Sequence, residues 1–439
     1  MSTERARIRE KARRNGEETF TSLYHHITDV DNLRACFHEL DGKKAVGVDG
    51  VSKEEYGREL EANLLDLSDR LKRGGYRPPP SLRVYIPKEG SEKGRPLGIS
   101  TFECKIVELS IKRTLEGIYE EAFEDSSYGF REGRNPHQCL DKLGRTIQQK
   151  PVSYVVEADI RSYFDRVNHE WLMKFLEHRI QDRRVLKLVK RLLNAGIMED
   201  GLCRATEEGT PQGSILSPLL SNIYLHYVLD TWFRVRFEKT CRGKAYYFRY
   251  ADDFVACFQY RDDAERFMQL LESRLEGFGL ELAKEKTRNL VFGRYAKARA
   301  EEQGNKPETF TFLGFQHYCG CTRNGYFKVK RRTCGKRMKR KLAEFEGWAR
   351  KARSWMRKGW MIRKAIQKVK GHISYYGITD NGQQVGTFLY RASRILFKWL
   401  NRQSQRRSYT WKQFRQALLM CGWPLQVVRK DLNPMAREA

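Results

Sequence analysis

The 439-residue chain has no stretch of about 18 uninterrupted apolar residues, so no membrane-spanning helix is expected. Its ten cysteines form no Cys-x-x-Cys pair. The nearest approach, Cys319-Gly-Cys321 followed by Cys334, lacks the paired spacing of a structural zinc site, which leaves reduced thiols in a cytoplasmic protein as the expectation. The N-terminus, MSTERARIREKARRNGEE, has no apolar segment behind its bases and is no secretory signal. Its glutamates argue against an organellar transit peptide. Internal repeats and low-complexity tracts are also missing. The most telling scarcity is of acid near the C-terminus. From Tyr326 to Ala439 there are 29 Lys and Arg against 5 Asp and Glu, whereas the first 325 residues hold 54 against 50. A nearly neutral body thus carries a strongly cationic last third. The net charge of +28 implies a polyanionic partner, most simply nucleic acid, and argues against a small-molecule enzyme.

Hydrophobic residues at 40% and aromatics at 12% describe a globular chain, long enough for two or three domains. The cationic third also holds six of the eight tryptophans, Trp348, Trp355, Trp360, Trp399, Trp411 and Trp423. Bases interleaved with aromatics suit phosphate contacts and base stacking; the alternative is a basic helical bundle with a tryptophan core. Periodicity predicts helices to about Arg73 after a Gly-Val-Asp-Gly turn at 47–50, then over 102–122, 136–150, 169–195, 215–238 and 261–277. Strands are predicted at 84–86, 97–99 and 153–159, and near 289–293, 310–317 and 326–330. From Thr333 to about Lys370 the pattern is helical and basic. The stretch GHISYYGITDNGQQVG (371–386) reads as a break, and helices resume to about Cys421.

Within YYFRYADDFVACF (246–258), Asp252 and Asp253 lie between strand-forming runs. Buried unpaired carboxylates cost several kcal/mol. The pair is either a plain hairpin turn or a metal site. Asp159, which ends the apolar strand in VVEADIRSYFD, supplies a third acid. Two-metal phosphoryl transfer requires carboxylates on adjacent strands, because two ions about 3.5–4 Å apart must be bridged.

Together with GVDG (47–50), RVYIPK…GRPLGI (83–99), SYGFREGRNPHQ (127–138), EEGTPQGSILSPLLSNIYLH (207–226), LELAKEKT (280–287) and FLGF (312–315), these residues resemble the motifs of group II intron reverse transcriptases, or intron-encoded maturases. The resemblance covers nearly the whole chain, including GHISYYG (371–377) and WLNRQSQRRSYTW (399–411), similar to that family's thumb and maturase region. It implies an α+β right-hand polymerase: fingers and palm of antiparallel sheet plus helices, followed by an α-helical thumb/maturase region. The implied divisions are an N-terminal RNA- or template-binding extension (1–45), fingers and palm (46–325), a basic helical thumb/maturase domain (326–411) and a short tail (412–439), a vestigial DNA-binding segment at most.

By the same resemblance Asp159, Asp252 and Asp253 are the catalytic metal-binding acids, Asp159 and Asp252 foremost, with the Ile160 carbonyl as a further ligand. The cofactor is two Mg²⁺ ions, with Mn²⁺ the alternative. Phe164 matches the gate beneath the incoming sugar, where its bulk disfavours a 2′-hydroxyl; the alternative is a core phenylalanine. The amides of Ser162 and Tyr163 match contacts to the triphosphate. Lys88 and Arg95 match phosphate clamps, and without the family they would be solvated turn charges. Gln212, and Gly213 beside it, sit where backbone approaches the template–nucleotide pair. Lys286, with Lys284 as competitor, matches a donor to the leaving pyrophosphate. Tyr250 and Gly314 face primer and template.

The implied function is RNA-directed DNA synthesis by target-primed reverse transcription, joined to binding of group II intron RNA for splicing. Partners are that intron RNA, an RNA template with DNA primer or target DNA, and dNTPs, in the cytoplasm or on the nucleoid of a bacterium. The chain ends without the paired cysteines and His-Asn-His residues of a nuclease module, so no endonuclease of its own is expected. Two other readings stand beside this one: a splicing-only maturase whose polymerase has decayed, and a domesticated or defence-associated reverse transcriptase without an intron.

Overall fold

A computed structural model describes residues 3–88, 91–204, 208–404, 408–428 and 430–435. Five short helices, α1 (Thr3–Arg14), α2 (Tyr24–Thr28), α3 (Val30–Glu39), α4 (Lys53–Tyr56) and α5 (Leu60–Lys72), precede the hairpin β1 (Ser81–Lys88) and β2 (Ser91–Ile99). Leu33, Leu64, Leu67 and Leu71 bury fully against α6 (Phe102–Tyr119). That helix starts where Thr101 accepts the Cys104 amide. The FTSLYHHIT segment is built into this core. Leu23, Tyr24 and Ile27 are buried, and the Tyr24 hydroxyl donates to the Leu71 carbonyl at 2.6 Å.

Next come α7 (Pro136–Gln149), β3 (Tyr154–Ala158), α8 (His169–Glu177) and α9 (Arg183–Leu193). The expected single helix over 169–195 is two, because the buried Asp182 carboxylate caps α9 through the Arg184 and Val185 amides. The same carboxylate accepts the amides of Leu23 and Tyr24, tying the N-terminal segment to the break. Two unforeseen three-residue strands, β4 (Ile197–Glu199) and β5 (Leu202–Arg204), extend the hairpin into a fingers sheet of order β2-β1-β4-β5. Helix α10 (Ser217–Leu225) runs on through two π-helical turns, His226–Asp230 and Phe233–Phe237.

The palm sheet gathers β6 (Ala245–Tyr250), β7 (Asp253–Phe258) and, after α11 (Arg261–Glu276), β8 (Arg288–Val291) around β3 in the antiparallel order β6-β7-β3-β8. Strict alternation sorts its two faces. Val156, Ala158, Phe254, Ala256 and Phe258 join the core beneath α6, α8, α10 and α11. Val155, Val255, Cys257 and Phe248 join a second core with α7 and the C-terminal helices. The site at the sheet's end is therefore fixed from both sides.

Helix α12 (Ala296–Glu302) leads to a third sheet, β9 (Thr309–Phe312), β10 (Phe315–Cys321) and β11 (Phe327–Thr333), ordered β11-β10-β9. The helical region then comprises α13 (Gly335–Ala352), α14 (Lys358–Tyr376), α15 (Gly382–Leu400) and α16 (Trp411–Met420). It starts at Gly335, close to the expected Thr333, after residues 327–333 pair with β10 as the strand expected near 326–330. GHISYYG does not break the helix: His372, Ile373 and Tyr376 bury along α14, and only residues 377–381 turn. Nor is the C-terminal segment a free tail. Phe414 and Leu418 enter the second core, and Lys430 pairs in parallel with Ile378.

His317 is fully buried between the sheets, stacked on Phe310 at 4.5 Å, and burial and the Arg331 charge pull its pKa down to about 3. The imidazole stays neutral in the fold, while an unfolded one takes a proton below about pH 6.5. Stability is therefore lost as pH falls from 6.5 towards 3. His226 and His372, both lowered to about 4 by burial, act in the same direction. In urea denaturation, His317→Phe should lose about 2 kcal/mol less stability than the wild type between pH 7 and pH 5, at about 1.4 kcal/mol per pH unit below 6.5.

Candidate active site

Strands β6 and β7 pair through Tyr250 and Asp253, so Ala251 and Asp252 form the two-residue tip of the hairpin. Ala251 is buried at φ 58°, a left-handed conformation that an alanine holds only when its surroundings impose it. Those surroundings are specific. Gly129 packs so closely that a Cβ there would stand 2.3 Å from the Ala251 nitrogen. Its carbonyl accepts from Asn222 Nδ2 at 2.7 Å. The Arg249 guanidinium, with no exposure, donates to the Ala251 carbonyl and to Asn222 Oδ1, both at 2.9 Å. Its other edge forms a two-point ion pair with Asp230, at 2.7 and 2.5 Å. The π-helical turn after α10 ends on Asp230, one residue beyond the spacing of a regular turn.

Asp159 follows the last residue of β3, whose Ala158 pairs with Phe254, so it emerges beside Asp253. Asp159 and Asp253 line a cavity of about 180 Å³ with Lys286, Gly314 and Arg337. Lys286 Nζ donates to Asp159 Oδ2 at 2.5 Å, and this bond raises the lysine pKa. Lys284 turns away to pair with Glu272. Asp252 takes another direction, towards the fingers. Its pKa is raised by burial and the Asp159 charge, against the pull of Arg95 and Arg249. Asp253 opens onto the cleft yet is pushed up to about 6, by crowding first and then by Asp252 and Asp159. Ile160 is buried, leaving its carbonyl as the part a metal could use.

These donors are hard carboxylate oxygens, and the charge of Asp159 opposes ionisation of Asp252 and Asp253, a charge arrangement that a divalent cation relieves. In kind they fit Mg²⁺ or Mn²⁺. Among the described residues no three carboxylate, thiol or imidazole side chains already stand close enough to hold one ion, so binding requires the acids to draw together and Lys286 to release Asp159.

On the fingers side, Phe164 and Gln212 line a second cavity of about 290 Å³ with Pro96, Gly98 and Arg83. Gly213, at φ 121°, comes so near β2 that a Cβ would meet the Gly98 carbonyl at 2.5 Å, and the Gly98 amide donates to the Gln212 carbonyl at 2.7 Å. The Pro-Gln-Gly turn is thus latched to the fingers hairpin. Ser162 is left-handed at φ 47°. The Tyr163 side chain is core, its hydroxyl on the Ser221 carbonyl at 2.8 Å, which leaves its backbone for ligand contact. Arg95 is exposed on β2. The Lys88 side chain lies outside the described residues.

On the opposite side, the FLGF turn places Leu313 at φ 49° and Gly314 at φ 82°. The Tyr375 hydroxyl donates to the Leu313 carbonyl at 2.8 Å, and a Cβ on Gly314 would stand 3.0 Å from the Tyr376 hydroxyl. The turn is seated on α14. Tyr250 is half-buried against the same core. Sequence reasoning missed Arg337, whose charge faces Asp253, and the support formed by Arg249, Asp230, Asn222 and Gly129. A lone arginine in an aromatic strand and a lone aspartate in an apolar helix were the available signals.

The profile of the family described as reverse transcriptase (RNA-dependent DNA polymerase) matches residues 86–317, more than half of the chain. Among curated proteins, the group II intron-encoded protein LtrA of Lactococcus lactis subsp. cremoris is 37% identical over 220 residues, 50% of this chain and 36% of LtrA. Protein YkfC of Escherichia coli K12 is 38% identical over 246 residues, 49% of this chain and 63% of YkfC. Nuclear intron maturase 1 of Arabidopsis thaliana mitochondria is 31% identical over 112 residues, 24% of this chain and 15% of that protein. The chain spans less than two thirds of the length of each. It belongs to the reverse transcriptase (RNA-dependent DNA polymerase) family.

Proposed function

We propose that this chain is an RNA-directed DNA polymerase that binds group II intron RNA to assist its splicing and copies it by target-primed reverse transcription. The observation that supports this reading is the placement of Asp159, Asp252 and Asp253 at adjoining strand ends of one sheet. They stand between a cavity lined by Phe164 and Gln212 and the glycine turn at Gly314. Two Mg²⁺ ions held by the three aspartates and the Ile160 carbonyl would supply Lewis acidity to the attacking 3′-hydroxyl and the triphosphate.

The remaining work falls to side chains. Lys286, kept protonated by Asp159, is the proton donor for the leaving pyrophosphate once it releases that carboxylate. Arg95 and Lys88 would clamp the phosphates from the fingers hairpin. Gly314 lets the primer backbone pass close to the Leu313–Gly314 turn. Phe164 lines the fingers-side cavity, where its bulk would act as a steric filter against a 2′-hydroxyl. Phe164→Ala should therefore raise ribonucleotide incorporation relative to deoxynucleotide by about tenfold or more, measured as the ratio of kcat/KM values in primer extension.

The intron-RNA half of the proposal draws on the cationic third. Residues 347–379 contain nine Lys and Arg and no acid. The tryptophans of the cationic third divide: Trp399 is core, while Trp355 and Trp360 are 71% and 63% exposed around the α13–α14 connection. Exposed indoles among bases suit structured RNA bound through backbone and unpaired bases. The test is splicing of a precursor carrying a group II intron at low Mg²⁺, which the protein should accelerate in proportion to its binding.

A further inference from the structure

We propose that the thumb carries a pocket for a single unpaired RNA nucleotide, set between α13, α14 and α15 and sharing no lining residue with the cavity at Asp159 and Asp253. The cavity measures about 380 Å³, within the range of small-ligand sites. Its walls are aromatic: Phe345 from α13, Tyr375 and Tyr376 from α14, and Phe388 from α15.

The floor is what marks it as a site. His372 stacks on Phe388 with centroids 3.6 Å apart and planes at 12°. The imidazole is buried, 8% exposed, and its Nε2 has no hydrogen-bond partner among the described residues. A buried polar edge left without a partner costs about 1–3 kcal/mol unless something meets it. Burial and the Lys341 charge hold the ring neutral, so Nε2 offers a hydrogen bond rather than a charge.

The mouth is cationic. Lys341 and Lys368 stand on it, with Glu344 as the one acid of the lining, shared between Lys341 at 2.8 Å and Arg340 at 3.4 Å. Between them lies Gly371, inside α14. A Cβ there would meet nothing within 4 Å, so packing does not account for a residue that costs a helix about 1 kcal/mol. Its missing side chain leaves the mouth open. Aromatic walls, one unmet ring nitrogen and a rim of lysines match a base that has left its helix, with its phosphate outside. Stacking accounts for the walls, the base edge for His372 and the phosphate for the rim.

This inference rests on the reading of the chain as an RNA-binding protein, and its test separates the two. The probe is an RNA hairpin with one bulged 2-aminopurine, compared with the same hairpin without the bulge. Wild type should bind the bulged hairpin about tenfold or more tightly, with a change in 2-aminopurine fluorescence. Gly371→Leu sets a side chain at the mouth on a Cβ that meets nothing within 4 Å, and should melt no lower than wild type because leucine favours a helix over glycine. It should lose the preference and the fluorescence change while binding the unbulged hairpin as before. His372→Phe keeps the stack on Phe388, removes the ring nitrogens and should lose part of the preference. Equal binding of both hairpins by wild type, or an unchanged preference in Gly371→Leu, overturns the pocket and leaves RNA binding standing. Failure of wild type to bind either hairpin overturns both.

Discussion

Asp252→Asn should abolish DNA synthesis, lowering kcat by at least about 10³-fold, while the protein melts at a higher temperature than wild type in chelator at neutral pH. On the proposed reading the activity loss follows from removing one of the carboxylates that would hold the metal ions facing the reacting phosphates, an effect worth several kcal/mol. The stability gain follows from the sign of the shift. The Asp252 pKa is raised in the fold by burial and by Asp159. Below the unfolded value the neutral carboxyl costs nothing; as pH rises past it, the charge is opposed in the folded state and stability falls. A neutral asparagine escapes that cost. Mg²⁺ should then raise the melting temperature of wild type, because it binds the folded acids, and do so far less for Asp252→Asn. Thermal melts with Mg²⁺ and with chelator, beside primer extension, check both parts. A variant that melts lower than wild type in chelator would mean that Asp252 is a structural turn residue and not a strained ligand.

Arg249→Met should cost about 3–5 kcal/mol of stability, the largest effect expected of any single change near the site. Both Arg249 and Asp230 are shut off from solvent, and removing the guanidinium leaves a buried, unpaired carboxylate. The second substitution separates structure from function. Arg249→Met with Asp230→Leu removes both charges and should recover most of the loss, since an apolar pair of similar volume replaces a buried ion pair at little cost. Synthesis should stay impaired in the double variant. Its hairpin tip has lost the donor to the Ala251 carbonyl, and with it the bond that holds Asp252 in place. Urea denaturation gives the first result and primer extension the second. Full activity in the double variant would show that Arg249 serves only the fold.

Much of the fold and the acid cluster was legible because local patterns carry it. Near-continuous apolar and aromatic runs in SYVVEADI and YYFRYADDFVACF mark strands buried on both faces, and acids at their ends read as a hairpin turn or a metal site. What was not legible depends on long-range contacts. Nothing local to Arg249 names Asp230, nineteen residues away, because that ion pair is made by a π-helical turn. Strands β4 and β5 are three residues each and exist through pairing with β1 and each other. GHISYYG looked like a break because Gly and β-branched residues weaken a helix, yet burial of Ile373 and Tyr376 outweighs that propensity. The position of Lys286 on Asp159 is likewise a contact across 127 residues.

The most direct measurement is extension of a DNA primer on an RNA template by the purified chain, with Mg²⁺ and either deoxynucleotides or ribonucleotides, beside Asp252→Asn and Asp159→Asn. Wild type should extend with deoxynucleotides alone, and both variants should bind the primer–template and extend nothing. Absence of extension by folded wild type that binds the primer–template would contradict the polymerase assignment and leave an RNA-binding splicing factor in its place.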